Sequence, residues 1–354
     1  VIHGYPGTGK TFLLSAIYDN LIKNGLSVTL CSPTGSAAAR LNESIPQAKE
    51  QATTIHMLLG YVNGQFVKSE PGDIDSDVII IDEAGMMGAP LHYCLLKALR
   101  PDARVIYIGD PYQLPPVDVG NCLPDLIESV PHTELTEIVR TDADGPIGEA
   151  AMAIHNGRMP SVSQKADQGF FLIDRADSGL IEATYKVHLR LAKAGLEDPS
   201  QVPVMAPTNA LVDSYNSYCH SQGWLIVPIV AKRNCYALGY MNGDIGYRVS
   251  PTRVRFGNVE VPFVDSDFSL GYSTTIHRKQ GREFKNGILM VGRAHSGRPN
   301  RQLLYTSVTR CKNRFAAVGN MSWIEAAIKS PALQQRTTLL GCFIKGSAKL
   351  IPRS

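Results

Sequence analysis

A glycine-rich segment near the start of the chain has the composition of a phosphate-binding loop. It reads Gly4-Tyr5-Pro6-Gly7-Thr8-Gly9-Lys10-Thr11 and fits the pattern GxxxxGK(S/T). In such a loop, backbone N–H groups surround a phosphate, the lysine reaches the β- and γ-phosphates and acts in catalysis, and the final hydroxyl ligates magnesium. The predicted nucleotide ligands are Gly4, Pro6, Gly7, Thr8, Gly9, Lys10 and Thr11, with Thr11 also a metal ligand.

Two acidic residues follow a run of apolar, β-favouring residues. Asp82 and Glu83 come directly after Val78–Ile81, so a buried strand would place both carboxylates at its carboxyl end, where open α/β sheets bind ligands. Asp82 is predicted to hold magnesium, and Glu83 to accept a proton from the attacking water. A strand that ends in solvated acids is the alternative, which the phosphate loop upstream disfavours.

A proline-rich segment, residues 109–116, follows another strand candidate. It would place Gln113 at the same sheet edge, where the amide can sense the γ-phosphate. An ordinary loop after a strand explains this segment equally well.

Short apolar segments alternate with stretches of helical spacing, which is typical of parallel α/β sheets. The chain has 354 residues and 44% hydrophobic content, enough for two packed cores. A cluster of Asp, Gly and Pro at residues 142–146 would separate them. The predicted strands include residues 1–3, 27–31, 78–81, 105–108, 202–205, 287–291 and 315–318.

The composition argues against membrane and disulfide-rich classes. No apolar run approaches the roughly 18 residues that a membrane span needs, and the N-terminus has no signal-peptide pattern. The 7 cysteines are scattered and never spaced as C-x-x-C, which argues against a disulfide framework and a zinc site. We therefore expect a cytoplasmic protein with no membrane partner.

Charge is distributed unevenly along the chain. Residues 1–150 carry 9 Lys or Arg against 19 Asp or Glu, whereas residues 151–354 carry 26 against 13. The basic excess is greatest at residues 277–314, a segment with ten Lys or Arg and a single acidic residue, Glu283. Such asymmetry indicates that the second half faces a polyanion, although a solvated basic face is the simpler explanation for either half alone.

Further segments, in order, resemble the motif set of the RecD-like (Dda-like) branch of superfamily 1 DNA helicases. The resemblance covers nearly the whole chain, and an ordered set is more specific than any single motif. Besides the phosphate loop and the acidic pair, the matching segments are residues 32–41, 54–59, 109–116, 135–140, 206–209, 242–246, 271–284 and 304–310.

This resemblance implies a P-loop NTPase fold with two RecA-like parallel-sheet lobes and small β insertions. The expected lobes are residues 1–145 and 146–330, followed by a C-terminal tail at 331–354. Reduced insertions are expected at about 60–76 in the first lobe and at about 232–265, SH3-like, in the second. The family's adenine-reading segment before the first strand is missing, so we expect the first lobe to be truncated at its N-terminus.

The resemblance also implies roles for individual residues. Arg140 and Arg310 match arginines that act on the nucleotide phosphates, and Gly281 with Glu283 matches a ribose contact. The implied contacts to single-stranded DNA are Pro33, Thr34, Ser36, Thr54, His56, Thr208, Asn209, Thr275, His277 and Lys279.

Two of these positions depart from the family pattern. Ser36 stands where a basic residue is usual, and Lys279 stands where a small hydroxyl residue is usual. We interpret this as an exchange of basic contacts between the lobes.

The resemblance implies an ATP-dependent DNA helicase that translocates on single-stranded DNA with 5′ to 3′ polarity. Its cofactors would be ATP and Mg²⁺. Its partners would be single-stranded DNA, duplex junctions and other subunits of a repair or recombination complex. Two alternatives stay open: a non-catalytic DNA-binding subunit, and a P-loop phosphotransferase, which would leave the second half unexplained.

Overall fold

The chain divides into two compact units in a computed structural model that describes residues 1–62, 64–137, 145–165, 168–192, 198–294, 296–331, 338 and 340–345. Unit 1 comprises Val1–Thr141 and Ala332–Ser354, and unit 2 comprises Asp142–Pro331. The sequence places the boundary at 145/146 and predicts a separate tail at 331–354, whereas the structure groups 332–354 with unit 1.

Unit 1 is built on a parallel sheet with the strand order β3-β2-β6-β7-β1-β8. Strands β4 and β5 form a separate antiparallel hairpin inside the predicted insertion at 60–76. The strands are β1 (Ile2–Gly4), β2 (Val28–Ser32), β3 (Thr53–Thr54), β4 (Tyr61–Val62), β5 (Gln65–Phe66), β6 (Val78–Ile81), β7 (Arg104–Gly109) and β8 (Thr133–Leu135).

Helices cover both faces of this sheet. On β6, Val78 and Ile80 pack into one apolar cluster with residues of the first two helices, whereas Ile79 and Ile81 pack into another. This explains why β6 has four consecutive apolar residues, since a parallel strand covered on both faces has no solvent side. The helices are α1 (Lys10–Lys23), α2 (Gly35–Ser44), α3 (Ile55–Leu59), α4 (Ala89–Ala98) and α5 (Cys122–Ser129).

Unit 2 contains a second parallel sheet, with the strand order β16-β10-β17-β18-β9. The strands predicted at 287–291 and 315–318 are confirmed as parts of β17 and β18, and the strand predicted at 202–205 overlaps β10 at residues 204–205. The strands of unit 2 are β9 (Gly169–Asp174), β10 (Val204–Ala206), β11 (Pro228–Ala231), β12 (Ile245–Ser250), β13 (Arg253–Phe256), β14 (Val259–Pro262), β15 (Phe268–Leu270), β16 (Ser273–Thr275), β17 (Phe284–Val291) and β18 (Cys311–Gly319).

An antiparallel sheet with the order β14-β13-β12-β11-β15 interrupts the α/β pattern of unit 2. It spans the predicted insertion at 232–265 and has its own aromatic core, in which Tyr240 and Phe256 stack with ring centroids 5.0 Å apart. The helices of unit 2 are α6 (Pro146–His155), α7 (Asp177–Leu191), α8 (Asn209–Ser221), α9 (Arg301–Val308) and α10 (Met321–Lys329).

The last described helix returns to unit 1. This helix, α11 (Leu340–Ile344), packs against α5, and Thr338 donates backbone and hydroxyl hydrogen bonds to the Asp125 carboxylate. Across the described part of the chain, every helix is too short or too polar to cross a membrane.

A histidine is buried in the core of unit 2. His188 on α7 contacts the Tyr215 hydroxyl through Nδ1 at 2.9 Å and the Pro199 carbonyl through Nε2 at 3.2 Å. Burial lowers its pKa to about 4. The folded protein therefore holds His188 neutral at pH values where the unfolded chain protonates it.

We expect His188 to make unit 2 sensitive to acid. Between pH 6.5 and pH 4, protonation favours the unfolded chain, so His188 should lower the free energy of unfolding by roughly 1 kcal/mol per pH unit. In urea unfolding at pH 7, 6 and 5, the free energy of unfolding of the wild type should therefore fall more steeply with decreasing pH than that of His188→Gln. Exposed His220→Gln serves as the control. Parallel pH curves for the wild type and His188→Gln would contradict the prediction.

Candidate functional site

The glycine-rich loop lies at the carboxyl end of β1, whose neighbours are β7 and β8. Gly7 and Gly9 have φ values of 83° and 80°, in the left-handed region that favours glycine. Gly4 requires glycine for a different reason: a Cβ there would lie 2.3 Å from the Leu135 carbonyl oxygen. Helix α1 starts directly after Gly9, and its first N–H groups have no partner within the helix.

The Lys10 ammonium is folded back onto its own loop. It donates hydrogen bonds to the carbonyl oxygens of Gly4 at 2.7 Å and Tyr5 at 2.6 Å. Burial lowers the pKa of Lys10, while Asp110, Glu83 and Asp82 act in the opposite direction. The loop therefore presents a cation to the neighbouring acids.

Asp82 and Glu83 lie at the carboxyl end of β6, as the sequence predicts. Asp82 is only 4% exposed, and its Oδ2 atom has no hydrogen-bond partner among the described residues. Burial, followed by the charge of Glu83, raises the pKa of Asp82 to about 6. Glu83 adopts a left-handed φ of 53°, a conformation that costs a non-glycine residue free energy.

Asp110 and Gln113 are buried after the end of β7, next to the acidic pair's strand. Asp110 accepts hydrogen bonds from the Tyr112 backbone N–H at 2.9 Å and the Gln113 amide at 3.1 Å. Burial raises the pKa of Asp110. The Gln113 Oε1 atom has no hydrogen-bond partner in the described part of the protein, so the amide is fixed at one end and open at the other.

Two further residues, Asp110 and Arg40, lie at this edge of the sheet and are not among the site residues predicted from the sequence. Asp110 follows directly after a strand, the same signal that identifies Asp82. Arg40 on α2 places one guanidinium nitrogen 3.4 Å from Glu83 Oε1 and 3.6 Å from Asp82 Oδ2. No sequence spacing indicates that contact.

In unit 2, the predicted nucleotide contacts lie at the amino edge of the sheet. Arg310 and Glu283 directly precede the paired strands β18 and β17, and the Phe284 N–H donates to the Arg310 carbonyl at 2.7 Å. Arg310 is 3% exposed, and its Nε and Nη1 atoms find no hydrogen-bond partner among the described residues. Glu283 forms an ion pair of 2.9 Å with Lys312. Gly281 has a φ of 77°, and Arg140 lies outside the described residues.

The predicted DNA contacts of unit 1 come together at the starts of two helices. Ser32 and Thr54 are register partners on β2 and β3, so the α2 and α3 N-termini lie side by side. The hydroxyls of Thr34 and Thr54 accept the N–H groups of Ala37 and Met57 as helix caps. The other members of this group are Pro33 and Ser36, which are half-buried, and His56, which is exposed beside the rings of Tyr61 and Phe66.

Most of the predicted DNA contacts of unit 2 form a similar group. Ala206 and Thr275 are register partners on β10 and β16. Thr208 caps α8 by accepting the Leu211 N–H, and Asn209 begins that helix. Half-buried His277 follows β16.

Lys279 does not share the exposure of this group. It is only 7% exposed, and its ammonium lies 5.0 Å from the centre of the Phe284 ring. Burial, followed by the charge of Arg282, lowers its pKa to about 7. Because a buried ammonium cannot present its charge to a phosphate backbone, the exchange of basic contacts with Ser36 has no support in the structure.

The chain is similar to known proteins in both sequence and fold. A family model described as an AAA domain matches residues 1–174, and one described as a UvrD-like helicase C-terminal domain matches residues 270–316. The ATP-dependent RecD2 DNA helicase of Deinococcus radiodurans is 32% identical over 365 residues, which cover 96% of this chain and 49% of the relative. The chain thus spans about half the length of that relative.

The RecBCD enzyme subunit RecD of Mycobacterium tuberculosis is 29% identical over 413 residues, which cover 97% of this chain and 71% of the relative. Among solved structures, the Bacteroides Pif1 helicase in complex with ADP-AlF3 and ssDNA matches with a TM-score of 0.53 and 15% identity, over 93% of this chain and 90% of that one. This likeness concerns the fold and identifies the two units as RecA-like α/β lobes.

We expect the buried Asp82 carboxylate to destabilise the ligand-free protein. Because the pKa of Asp82 is raised, its ionisation lowers the free energy of unfolding progressively between pH 3.8 and about 6. Above pH 6 the loss stays constant. Asp82→Asn should therefore raise the free energy of unfolding by about 2 kcal/mol at pH 7.5 and by much less near pH 4, as measured by urea unfolding. Exposed Glu50→Gln is the control. A loss of stability at pH 7.5, or a gain independent of pH, would refute this account of the site.

Proposed function

The chain belongs to the RecD-like branch of superfamily 1 DNA helicases, and on that premise we propose that it hydrolyses ATP to move along single-stranded DNA and to separate duplex strands. The proposed polarity is 5′ to 3′. One observation carries the proposal. The phosphate loop, the Asp82–Glu83 pair and Gln113 lie at the carboxyl ends of three adjacent strands, β1, β6 and β7.

Relatives of known activity support this proposal. RecD2 of Deinococcus radiodurans is an ATP-dependent DNA helicase, and the Pif1 structure holds ADP-AlF3 and ssDNA. Those properties belong to those proteins, and the residues of this chain provide the reasons for extending them to it.

The residues of the loop fit a nucleoside triphosphate. The left-handed glycines and the first N–H groups of α1, which have no partner within the helix, form a surface suited to phosphate oxygens. Lys10 donates to loop carbonyls that a phosphate can replace as acceptor. Gly281 and Glu283 are the proposed contacts to the ribose.

The residues also fit a magnesium ion. Asp82 Oδ2 is a buried oxygen with no hydrogen bond from the described residues, and oxygen donors such as this carboxylate and the Thr11 hydroxyl suit Mg²⁺. We propose that Asp82 and Thr11 hold it together with phosphate oxygens. Bound there, Mg²⁺ would neutralise charge on those oxygens.

The chain's own groups then carry the proton and orient the water. Glu83 accepts the proton of the attacking water. Gln113 is held by Asp110 through its amide nitrogen, and its Oε1, which has no partner among the residues that the structure describes, can accept a hydrogen bond from that water. Arg310, of which two guanidinium nitrogens have no hydrogen-bond partner among the described residues, is proposed to stabilise charge on the transferring phosphoryl group, and Arg140 is proposed for the same role.

DNA is proposed to bind at the neighbouring starts of α2 and α3 in unit 1, and in unit 2 at the start of α8 and the end of β16. Threonine hydroxyls, backbone N–H groups and the helix dipoles contact phosphates without reading sequence. In unit 1, exposed His56 with Tyr61 and Phe66 adds aromatic faces on which bases can stack. The buried Lys279 is left out of this set.

We expect Lys10→Ala to reduce DNA-stimulated ATP hydrolysis by roughly 100-fold or more, because it removes the cation that contacts the phosphates. Binding of single-stranded DNA in the absence of nucleotide should persist. Lys23→Ala, at the other end of the same helix, is the matched control. Phosphate release and fluorescence anisotropy measure the two activities. Undiminished hydrolysis in Lys10→Ala would exclude the assigned loop, and DNA binding without any wild-type hydrolysis would favour a non-catalytic subunit.

The proposed polarity is tested with duplexes that carry a single-stranded tail at either the 5′ or the 3′ end. With ATP and Mg²⁺, the wild type should open the 5′-tailed substrate and leave the 3′-tailed one closed, as seen by gel or fluorescence strand separation. Lys10→Ala should open neither. Opening of the 3′-tailed duplex alone would reverse the assigned polarity, and failure on both would remove unwinding from the proposal.

A further inference from the structure

Arg40 forms a bridge between the two acids and helix α2. One nitrogen, Nη2, lies 3.4 Å from Glu83 Oε1 and 3.6 Å from Asp82 Oδ2, and the Arg40 side chain is half-buried. Asp82 and Glu83 are both buried and adjacent, so their charges repel each other in a medium where water screens little. The guanidinium offsets part of that repulsion.

The geometry of this bridge is loose. Charge-assisted N–H···O bonds usually measure about 2.7–2.9 Å, and Arg100 reaches that range in the same unit, at 2.9 Å from both Asp75 and Asp77. The Arg40 distances are longer by half an ångström or more, and a single nitrogen faces both acids. At these distances the guanidinium offsets the negative charge of both acids.

Helix α2 connects this contact to the proposed DNA site. The helix runs over Gly35–Ser44 and is capped by Thr34. Thr34 is one of the residues that are proposed to contact DNA at the start of α2. Arg40 lies within the same regular helix, less than two turns from that cap. A displacement of the start of α2 therefore moves the Arg40 backbone with it.

We propose that Arg40 is a positioning residue that couples DNA contact at the start of α2 to the two acids. Without DNA, its guanidinium holds Glu83 and covers the Asp82 oxygen. When a DNA phosphate engages the start of α2, the guanidinium withdraws, so that Glu83 is released for the attacking water and Asp82 for the metal ion. This inference rests on the proposed function, whose site it deepens.

The first test measures ATP hydrolysis with and without a single-stranded oligonucleotide. In Arg40→Ala we expect the rate without DNA to rise by roughly tenfold, and the stimulation by DNA to fall by the same factor, within the usual range of coupling between sites. Arg40→Lys, which keeps the charge but offers a single ammonium, should lie between Arg40→Ala and the wild type. Arg104→Ala, an exposed arginine at the opposite edge of the same sheet, should match the wild type.

A second test uses binding alone. A fluorescent non-hydrolysable ATP analogue with Mg²⁺ should bind DNA-free Arg40→Ala more tightly than the DNA-free wild type, whereas the two should bind alike in EDTA. By thermodynamic reciprocity, the analogue with Mg²⁺ should increase the affinity of the wild type for the oligonucleotide, and this increase should be smaller in Arg40→Ala.

The outcomes separate the two proposals. If the wild type does not hydrolyse ATP, the proposed function fails and the coupling role of Arg40 fails with it. If the wild type shows DNA-stimulated hydrolysis but Arg40→Ala and Arg40→Lys keep the same stimulation, only the coupling role is overturned. Equal loss of the basal and stimulated rates in both variants, with normal thermal unfolding, also overturns it, because Arg40 would then support catalysis in either state.

Discussion

Desolvated negative charge at one edge of a parallel sheet is the constraint on which unit 1 depends. Parallel strands bring their carboxyl ends together, so the acids after β6 and β7 lie beside the loop after β1. Asp82, Glu83 and Asp110 are all buried there. Their charges require cations from the same edge, and Lys10 and Arg40 supply them from α1 and α2. The proposed nucleotide chemistry and the packing of the two helices are therefore linked by charge.

The two units use their sheets differently. In unit 1, the nucleotide candidates and the DNA candidates all follow the carboxyl ends of strands. In unit 2, Thr208 and Thr275 lie at the carboxyl edge, whereas Arg310 and Glu283 precede strands at the amino edge. The parallel sheet of unit 2 thus places the DNA candidates at one edge and the nucleotide candidates at the opposite edge.

The sequence predicts the parts of this site that depend on local order. A phosphate loop between a strand and a helix, or acids directly after an apolar run, can be recognised because strand and motif are adjacent in the chain. Arg40 could not be recognised, since its contact with Glu83 depends on how α2 packs against the sheet. Burial is equally invisible in a sequence: the family resemblance implies Lys279 as a DNA contact, whereas the structure leaves it only 7% exposed. The α/β class was predictable, because buried parallel strands leave continuous apolar runs.

The return of the chain to unit 1 at α11 has a consequence for its synthesis. Unit 1 is discontinuous, with all of unit 2 encoded between α5 and the helix that covers it. A ribosome adding about 5–20 residues per second needs on the order of 10–40 s to progress from α5 to α11. During that interval the nascent first unit carries an uncovered surface on α5. Completion of the first unit therefore follows translation of the second, and a chaperone has a defined period in which to act.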